Sequence, residues 1–177
     1  MFKVSEVMTS APASFKSPLQ RKVYERFSEL GIPFSRVDTD PGITMEDCRN
    51  IDAKLGIHIV KTLFLCNRQQ TIFYIYVTTD DKPFVTKDFC HTLGIPRVSF
   101  APEDKLEEIA GVEVGATTVL CSVLDSARDV KFVIDKDAIS GDMYACTDGT
   151  ATCFVCIKTS DLLEKYLPST GHEPVII

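Results

Sequence analysis

Two apolar runs dominate the middle of the chain: Ile59-Val60-Lys61-Thr62-Leu63-Phe64-Leu65-Cys66 and Thr71-Ile72-Phe73-Tyr74-Ile75-Tyr76-Val77-Thr78. Both are rich in β-branched and aromatic residues, the composition of strands. The polar Asn67-Arg68-Gln69-Gln70 between them has hairpin length. Leu63, Phe64 and Leu65 are apolar on both parities, which predicts a strand covered on both faces. Lys61 interrupts the first run, so its place is the strand's mouth, with the ammonium reaching solvent or a site.

Elsewhere the period changes to that of helices. Leu19, Val23, Phe27 and Leu30 form one stripe, with Pro18 to open the helix and Gly31 to stop it. Thr44 is placed to cap a helix through Leu55, with Asp47 as the acid of a capping box and Gly56 at the end. Thr86 is expected to cap a helix to Leu93, closed by Gly94. Pro102 suits the first position of a helix over 103–110, and Thr159 the cap of a last helix to Leu167. Shorter strands are predicted over 34–38, 97–100, 130–135, 143–146 and 151–157, with a turn at 40–42. Residues 111–119 read as a glycine-bounded loop running into a strand. Residues 1–17 have no clean period and are expected to be a poorly packed lead-in to a single domain over 18–177. Strands mix with helices and the hairpin demands antiparallel pairing, so the fold class is α+β (mixed α/β), a mixed sheet flanked by helices.

Composition narrows the function classes. The chain has 177 residues, 45% hydrophobic and 25% charged, as an ordinary globule has. A net charge of -6 argues against an extended nucleic-acid surface, though not against a local basic mouth gripping one nucleic-acid end. No run approaches the roughly 20 apolar residues of a membrane helix, and the first residues lack the apolar core of a secretory signal. Seven cysteines without a regular framework suit free thiols in a reducing cytoplasm.

Little here signals catalysis by itself. His58, His91 and His172 lack metal-type partners at i+3 or i+4, and no P-loop or dinucleotide fingerprint appears, so neither a metal nor a cofactor is expected. Cys153 and Cys156 are three apart on a predicted strand, so their thiols should diverge. No histidine in sequence stands out as a base for Cys121 or Cys146. Two features remain, each with two readings. Lys61 is either a surface lysine or a group at a site. The 111–119 loop is either a plain turn or a cradle whose N–H groups hold an oxyanion.

The ordered pieces Leu30-Gly31-Ile32-Pro33-Phe34, Ile43-Thr44-Met45-Glu46-Asp47, Lys61-Thr62-Leu63-Phe64-Leu65, Gly94-Ile95-Pro96-Arg97 and Gly111-Val112-Glu113-Val114-Gly115 resemble the YbaK and prolyl-tRNA synthetase editing-domain superfamily. Thr150-Ala151-Thr152 and the Gly171-His172-Glu173-Pro174 tail extend the likeness, the tail pointing to its free-standing trans-editing branch. The resemblance implies a metal-free aminoacyl-tRNA deacylase removing a small misattached amino acid, with alanine on tRNA(Pro) as default. It implies that Lys61 is the lysine required for deacylation. It places Thr44, Gly115, Ala116, Val119 and Thr150 on the substrate side, with the tRNA acceptor end as partner and a homodimer left open. Four positions depart from the family pattern. Val119 replaces a loop proline and Ala145 a histidine. Thr62 follows the lysine in place of asparagine, and Cys121-Ser122-Val123-Leu124-Asp125 keeps only the last acid of its motif. The departures imply either a pocket of altered, roomier specificity or a relative that binds aminoacyl-tRNA without hydrolysing it.

Overall fold

The computed structural model describes residues 1–41 and 43–177; the turn expected at 40–42 includes Gly42, outside the described residues. Strand β1 (Ser35–Asp38) pairs with β7 (Cys153–Lys158), which pairs with β6 (Met143–Thr147), all antiparallel. A second sheet has the order β4 (Val98–Phe100), β2 (Lys61–Asn67), β3 (Phe73–Thr78), β5 (Lys131–Ile134), β8 (Val175–Ile176). Its β4-β2-β3 half is antiparallel, and β5 and β8 join in parallel. The mixed sheet of the expected α+β class is therefore present. The remaining strands form a sheet of their own rather than lengthening it. The sheets meet where Ile59 bridges Ala145 in parallel and the Val60 N–H donates to the Ala145 carbonyl at 3.0 Å.

Phe64 and Leu65 show why β2 is apolar on both parities. Phe64 faces the main core, formed by α1 (Pro18–Leu30), the inner face of the second sheet and the last helices. Leu65 faces a smaller cluster with Tyr74, Phe89 and Val98, covered by α3 (Thr86–Leu93). The stripe of α1 behaves as its spacing predicts: Leu19, Val23 and Phe27 are buried, and Phe27 packs on Tyr166 at 5.6 Å between rings. Truncating a side chain such as Phe27 to alanine costs about 3–5 kcal/mol. Helix α2 (Met45–Leu55) covers the first sheet through Ile51, against Val37 and Phe154. Its Thr44–Asp47 capping box is complete, and Gly56 closes it in the left-handed region.

Several local expectations are corrected. Thr86 is the first helical residue of α3 rather than its cap; Val85 takes the cap position, without a side-chain bond. The ring of Phe84, 5.6 Å from that of Phe89, fixes how the chain enters the helix. Pro102 sits one position earlier than predicted, its carbonyl accepting from Lys105 and Leu106 at 3.0 Å each. Helix α4 (Glu103–Lys105) then widens into a π-helical turn, Leu106–Ala110. Thr159 begins α5 (Thr159–Asp161), and its hydroxyl donates to the Gly141 carbonyl at 2.7 Å rather than capping. A π-helical turn, Leu162–Tyr166, and α6 (Leu167–Ser169) follow. The strand expected after residue 115 is a 3₁₀ turn, Val119–Val123, capped by Thr118. Its first four residues are buried, and Tyr166 donates its hydroxyl to the Leu120 carbonyl at 2.7 Å.

None of residues 1–17 is fully buried, but the lead-in is tied to the domain by its backbone. Met8 and Arg36 exchange backbone hydrogen bonds at 2.9 and 2.8 Å, and the Ser5 N–H donates to the Asp38 carbonyl at 2.9 Å. The segment thus serves the open edge of β1. Apolar periodicity could not reveal this, because the attachment is made by backbone groups.

Candidate active site

A cleft of about 520 Å³ opens where the two sheets meet. Its walls include Lys61 and Thr62 from the start of β2, Cys48 from α2, Thr147 and Phe154 from the first sheet, and Gly115 and Thr117 from the loop before the 3₁₀ turn. Each element delivers its residue for a local reason. Thr44 caps α2, so Cys48 falls one turn in, with its N–H donating to the Thr44 carbonyl at 3.0 Å. Asp52 holds the chain after α2: its Oδ1 accepts from the Ile59 N–H at 2.9 Å, aiming residues 59–61 along the cleft floor. Gly115 turns the loop with φ of 89° and has no atom within 4 Å of where a Cβ would stand, so its backbone lies open. Among the described residues, the Gly115 and Thr117 amides donate to no acceptor, which leaves them available to an oxyanion.

Lys61 opens β2, opposite Thr78, half-buried as expected of a lysine at a strand mouth. Its ammonium donates to the backbone carbonyl of Lys82 in the loop after β3. Lys61 alternates with Thr62, which shares the parity of Phe64 and the inner side of the sheet.

The other residues singled out in the sequence divide among three places. Gly115 shares the cleft with Lys61. Ala116 and Thr150 line a neighbouring cleft of about 540 Å³, which meets the first at Ala151. Thr150 is fixed there, its hydroxyl donating to Asp148 Oδ1 at 2.8 Å. Thr44 is exposed at the start of α2, its hydroxyl bonded to Asp47 within the cap. Val119 is wholly buried in the main core, and Ala145 is wholly buried beside Ile59 and Cys156. Neither is among the walls of these two clefts, so the two departures do not act on them by direct contact. Cys48, Thr117, Thr147 and Phe154 were missed by sequence reasoning. Only Cys48 had a readable signal, one turn after a capping threonine.

The cysteines are free, and among the described residues none is hydrogen-bonded to a histidine. Burial pushes the Cys121 and Cys146 thiols up to about 12, away from nucleophilic chemistry. Cys153 and Cys156 lie on opposite parities of β7: Cys153 meets the Tyr24 hydroxyl at 3.5 Å, while Cys156 is the ladder partner of Ser35. The fold brings one group together that sequence spacing could not show, Asp52, His58 and Asp80, with ligand-type atoms within 4.8 Å. Both carboxylate oxygens of Asp52 are engaged, one by the Ile59 N–H and one by His58 Nδ1 at 2.9 Å. The group is accounted for as a brace at the end of α2.

The family described as the aminoacyl-tRNA editing domain matches residues 42–165, the span that holds every wall of this cleft. The chain belongs to that family. By class it is an aminoacyl-tRNA editing enzyme, an ester hydrolase. It is 27% identical over 153 residues to the Prolyl-tRNA editing protein ProX of Acetoanaerobium sticklandii, covering 86% of this chain and 93% of that protein. It is also 27% identical over 176 residues to the Prolyl-tRNA synthetase associated domain-containing protein 1 of Danio rerio, covering 97% and 95%. Among solved structures, hypothetical protein APE2540 superposes with a TM-score of 0.66 at 22% identity, covering 88% of this chain and 96% of that one. A candidate trans-editing enzyme for prolyl tRNA synthetase gives 0.65 at 15%, covering 92% and 97%. At these identities the superpositions establish the editing-domain fold alone. Among the described residues, no helix is long and apolar enough to cross a membrane.

Proposed function

We propose that this editing domain hydrolyses a small amino acid from the 3′ end of a mischarged tRNA, acting in trans, with alanyl-tRNA(Pro) as the default substrate. The observation that carries the reading is one cleft whose walls include Lys61, Gly115 and Thr117, with open space beside Gly115. Its volume of about 520 Å³ is of the order that takes a nucleoside with a small acyl group. The prolyl-tRNA in the names of two relatives supports tRNA(Pro).

The chemistry asked of the protein is modest, because an aminoacyl ester is already activated toward water. Water adds to the ester carbonyl, the C–O bond to the ribose breaks, and the ribose oxygen leaves with a proton. The cleft has to hold the ester and the terminal adenosine and to stabilise the charge that develops on the carbonyl oxygen. Amides at 115 and 117 are suited to that charge. The Lys61 ammonium is suited to a phosphate or to polarising the carbonyl. Thr147 and Phe154 add to the walls, the Thr147 hydroxyl being held by the Thr150 carbonyl and the Gly149 N–H.

A deacylation panel of mischarged tRNAs, run with the wild-type chain and Lys61→Ala, tests the reading. Alanyl-tRNA(Pro) should be hydrolysed, and the variant should lose most of that rate while keeping its stability, since a half-exposed ammonium contributes little to folding. Wild-type deacylation by Lys61→Ala removes the lysine from the mechanism. Hydrolysis of another aminoacyl-tRNA in preference to the alanyl ester removes the default substrate.

A further inference from the structure

Lys61 lines the cleft, and its ammonium does not stand alone. It donates to the carbonyl oxygen of Lys82. Lys82 lies in the loop between β3 and α3, and that loop is tied down by the Lys82 side chain itself. Its Nζ stands 2.7 Å from Asp135 Oδ2 and 2.5 Å from Asp137 Oδ2. Asp135 is buried just past the end of β5. Its Oδ2 also accepts from the Thr78 hydroxyl at 2.8 Å, and its Oδ1 from the Asp137 N–H at 2.9 Å. The Asp135 N–H donates to the Val77 carbonyl at 2.8 Å, fixing the carboxylate against β3. Thr78 is in turn the ladder partner of Lys61. The contacts close a ring: Lys61, the Lys82 carbonyl, the Lys82 ammonium, Asp135, Thr78, and back across the ladder to Lys61.

Two consequences follow from the charges. The ion pair fixes the carbonyl that selects one conformation of a long, otherwise mobile lysine side chain. It also sets a positive charge between two carboxylates that lie near the ladder partner of Lys61, offsetting one of their two charges. Without the Lys82 cation, Asp135 and Asp137 would draw the Lys61 ammonium into an ion pair of their own. The lysine would then be held away from an anionic or carbonyl-bearing substrate.

We propose that Lys82 and Asp135 are positioning residues for Lys61: the pair sets the place of the ammonium and keeps it unpaired from carboxylates. This rests on Lys61 being the functional lysine. Neither positioning residue is among the walls of the Lys61 cleft, so substrate affinity should be largely spared while turnover suffers. Misplacing a catalytic group by about an ångström costs roughly 10- to 100-fold in rate.

The test is steady-state deacylation of alanyl-tRNA by wild type, Lys61→Ala, Lys82→Met, Lys82→Arg and Asp135→Asn. The proposal expects Lys82→Met to lower kcat by about tenfold or more with KM within about twofold. Lys82→Arg, which keeps the carbonyl and the cation, should restore most of kcat. Asp135→Asn should fall on the same side as Lys82→Met. An inactive Lys61→Ala beside a folded Lys82→Met of wild-type kcat overturns the positioning role and leaves Lys61 in place. An active Lys61→Ala overturns the functional reading instead. A measurement on the wild type covers variants that fail to fold. With lysine labelled in ¹⁵N, the Lys61 ammonium should exchange its hydrogens more slowly than exposed lysines do. Exchange as fast as theirs means that the ammonium is not held, and the proposal fails.

Discussion

Tyr24 donates its hydroxyl hydrogen to Asp148 Oδ2 at 2.8 Å, joining α1 to the β6–β7 turn across 124 residues of sequence. The same oxygen accepts from Gln20 Nε2 at 2.9 Å, and Oδ1 accepts from the Thr150 N–H and hydroxyl at 3.2 and 2.8 Å. Asp148 is wholly buried, so its carboxylate is satisfied entirely by neutral donors. Gly149 follows with φ of 100°, and a Cβ there would lie 2.7 Å from Leu19 Cδ2. The turn carrying Thr150 and Ala151 between the two clefts is thus clamped onto α1 from both sides.

Removing one donor should be mild and removing the acceptor severe. Tyr24→Phe deletes one bond to a charged group, a cost of about 1.5–3 kcal/mol, together with the weaker contact to the Cys153 thiol. Asp148→Ala leaves donors on Gln20, Tyr24 and Thr150 without their acceptor inside the protein, and each stranded group costs about 1–3 kcal/mol. Urea denaturation should therefore rank Asp148→Ala well below Tyr24→Phe. Equal midpoints for the two variants would mean that the carboxylate is not the centre of the clamp.

Much of this arrangement was legible in the sequence, and the illegible part has a physical cause. The α1 stripe, the 61–78 hairpin, the Thr44–Asp47 cap and the mouth position of Lys61 follow from periodicity and from local hydrogen bonding. The partners of Asp148 do not, because Gln20 and Tyr24 lie a full domain away and each looks like a surface residue on a helix. The division into two sheets depends on which strands meet, and nothing in the 143–147 run distinguishes its neighbour at 153–158 from one in the larger sheet. Residues 119–123 look like a strand because they are apolar. They form a 3₁₀ turn whose first four residues are packed inside the core. Of the residues named for the site, Lys61 and Gly115 meet in one cleft. Val119 is buried in the core, and a motif, which aligns positions along the chain, cannot say which way a side chain points.

His58 should give the stability a weak dependence on pH. The hydrogen bond to Asp52, then the charges of Asp52 and Asp80, raise its pKa in the folded chain. A raised pKa favours the charged imidazole in the folded state. The contribution is therefore complete below the ordinary value of 6.5 and is lost as pH rises through the folded value. The ring is 83% exposed, so solvent screening keeps the effect under about 1 kcal/mol. Thermal unfolding at about pH 5.5 and about pH 8.5 should show a small loss for wild type that His58→Gln lacks. Added salt should shrink it. A variant with the wild-type pH difference would place the titrating group elsewhere.

Cys48 should be the first thiol to react in the native protein. It is half-buried on the cleft wall, whereas the other six cysteines are buried. Burial, then Asp52, Asp47 and Asp80, push its pKa up, so alkylation should be slow and should quicken as pH rises. An adduct at this wall narrows the cleft, and deacylation should fall in step with labelling of the Cys48 peptide, read by mass spectrometry. Cys48→Ala should remove the fast-labelling site. Labelling of Cys121 or Cys146 ahead of Cys48 would mean that the core opens more readily than the cleft admits reagent.

Restoring the family's proline and histidine should not tune the pocket, contrary to what the motif comparison alone suggests. Ala145 stands in the middle of β6 with no exposed surface, paired with Cys156 and bridged by Ile59. Its carbonyl accepts from the Val60 N–H, one of the bonds that join the two sheets. An imidazole at this point must displace Ile59 or distort β6, and overpacking of this kind costs about 1–3 kcal/mol. Val119 presents a different case. It is the first residue of a 3₁₀ turn, where the missing N–H of proline costs least, and Thr118 before it has φ of −145° and ψ of 145°, which a following proline accepts. Val119→Pro should therefore fold with a modest loss from the core, while Ala145→His should be clearly destabilised. The ratio of kcat/KM for alanyl and larger aminoacyl esters should stay within about twofold of wild type in Val119→Pro, since the side chain never reaches the cleft. A shift of the ratio toward alanine would show that the loop from Gly115 to Val119 transmits the stiffness of its end to the amides at 115 and 117.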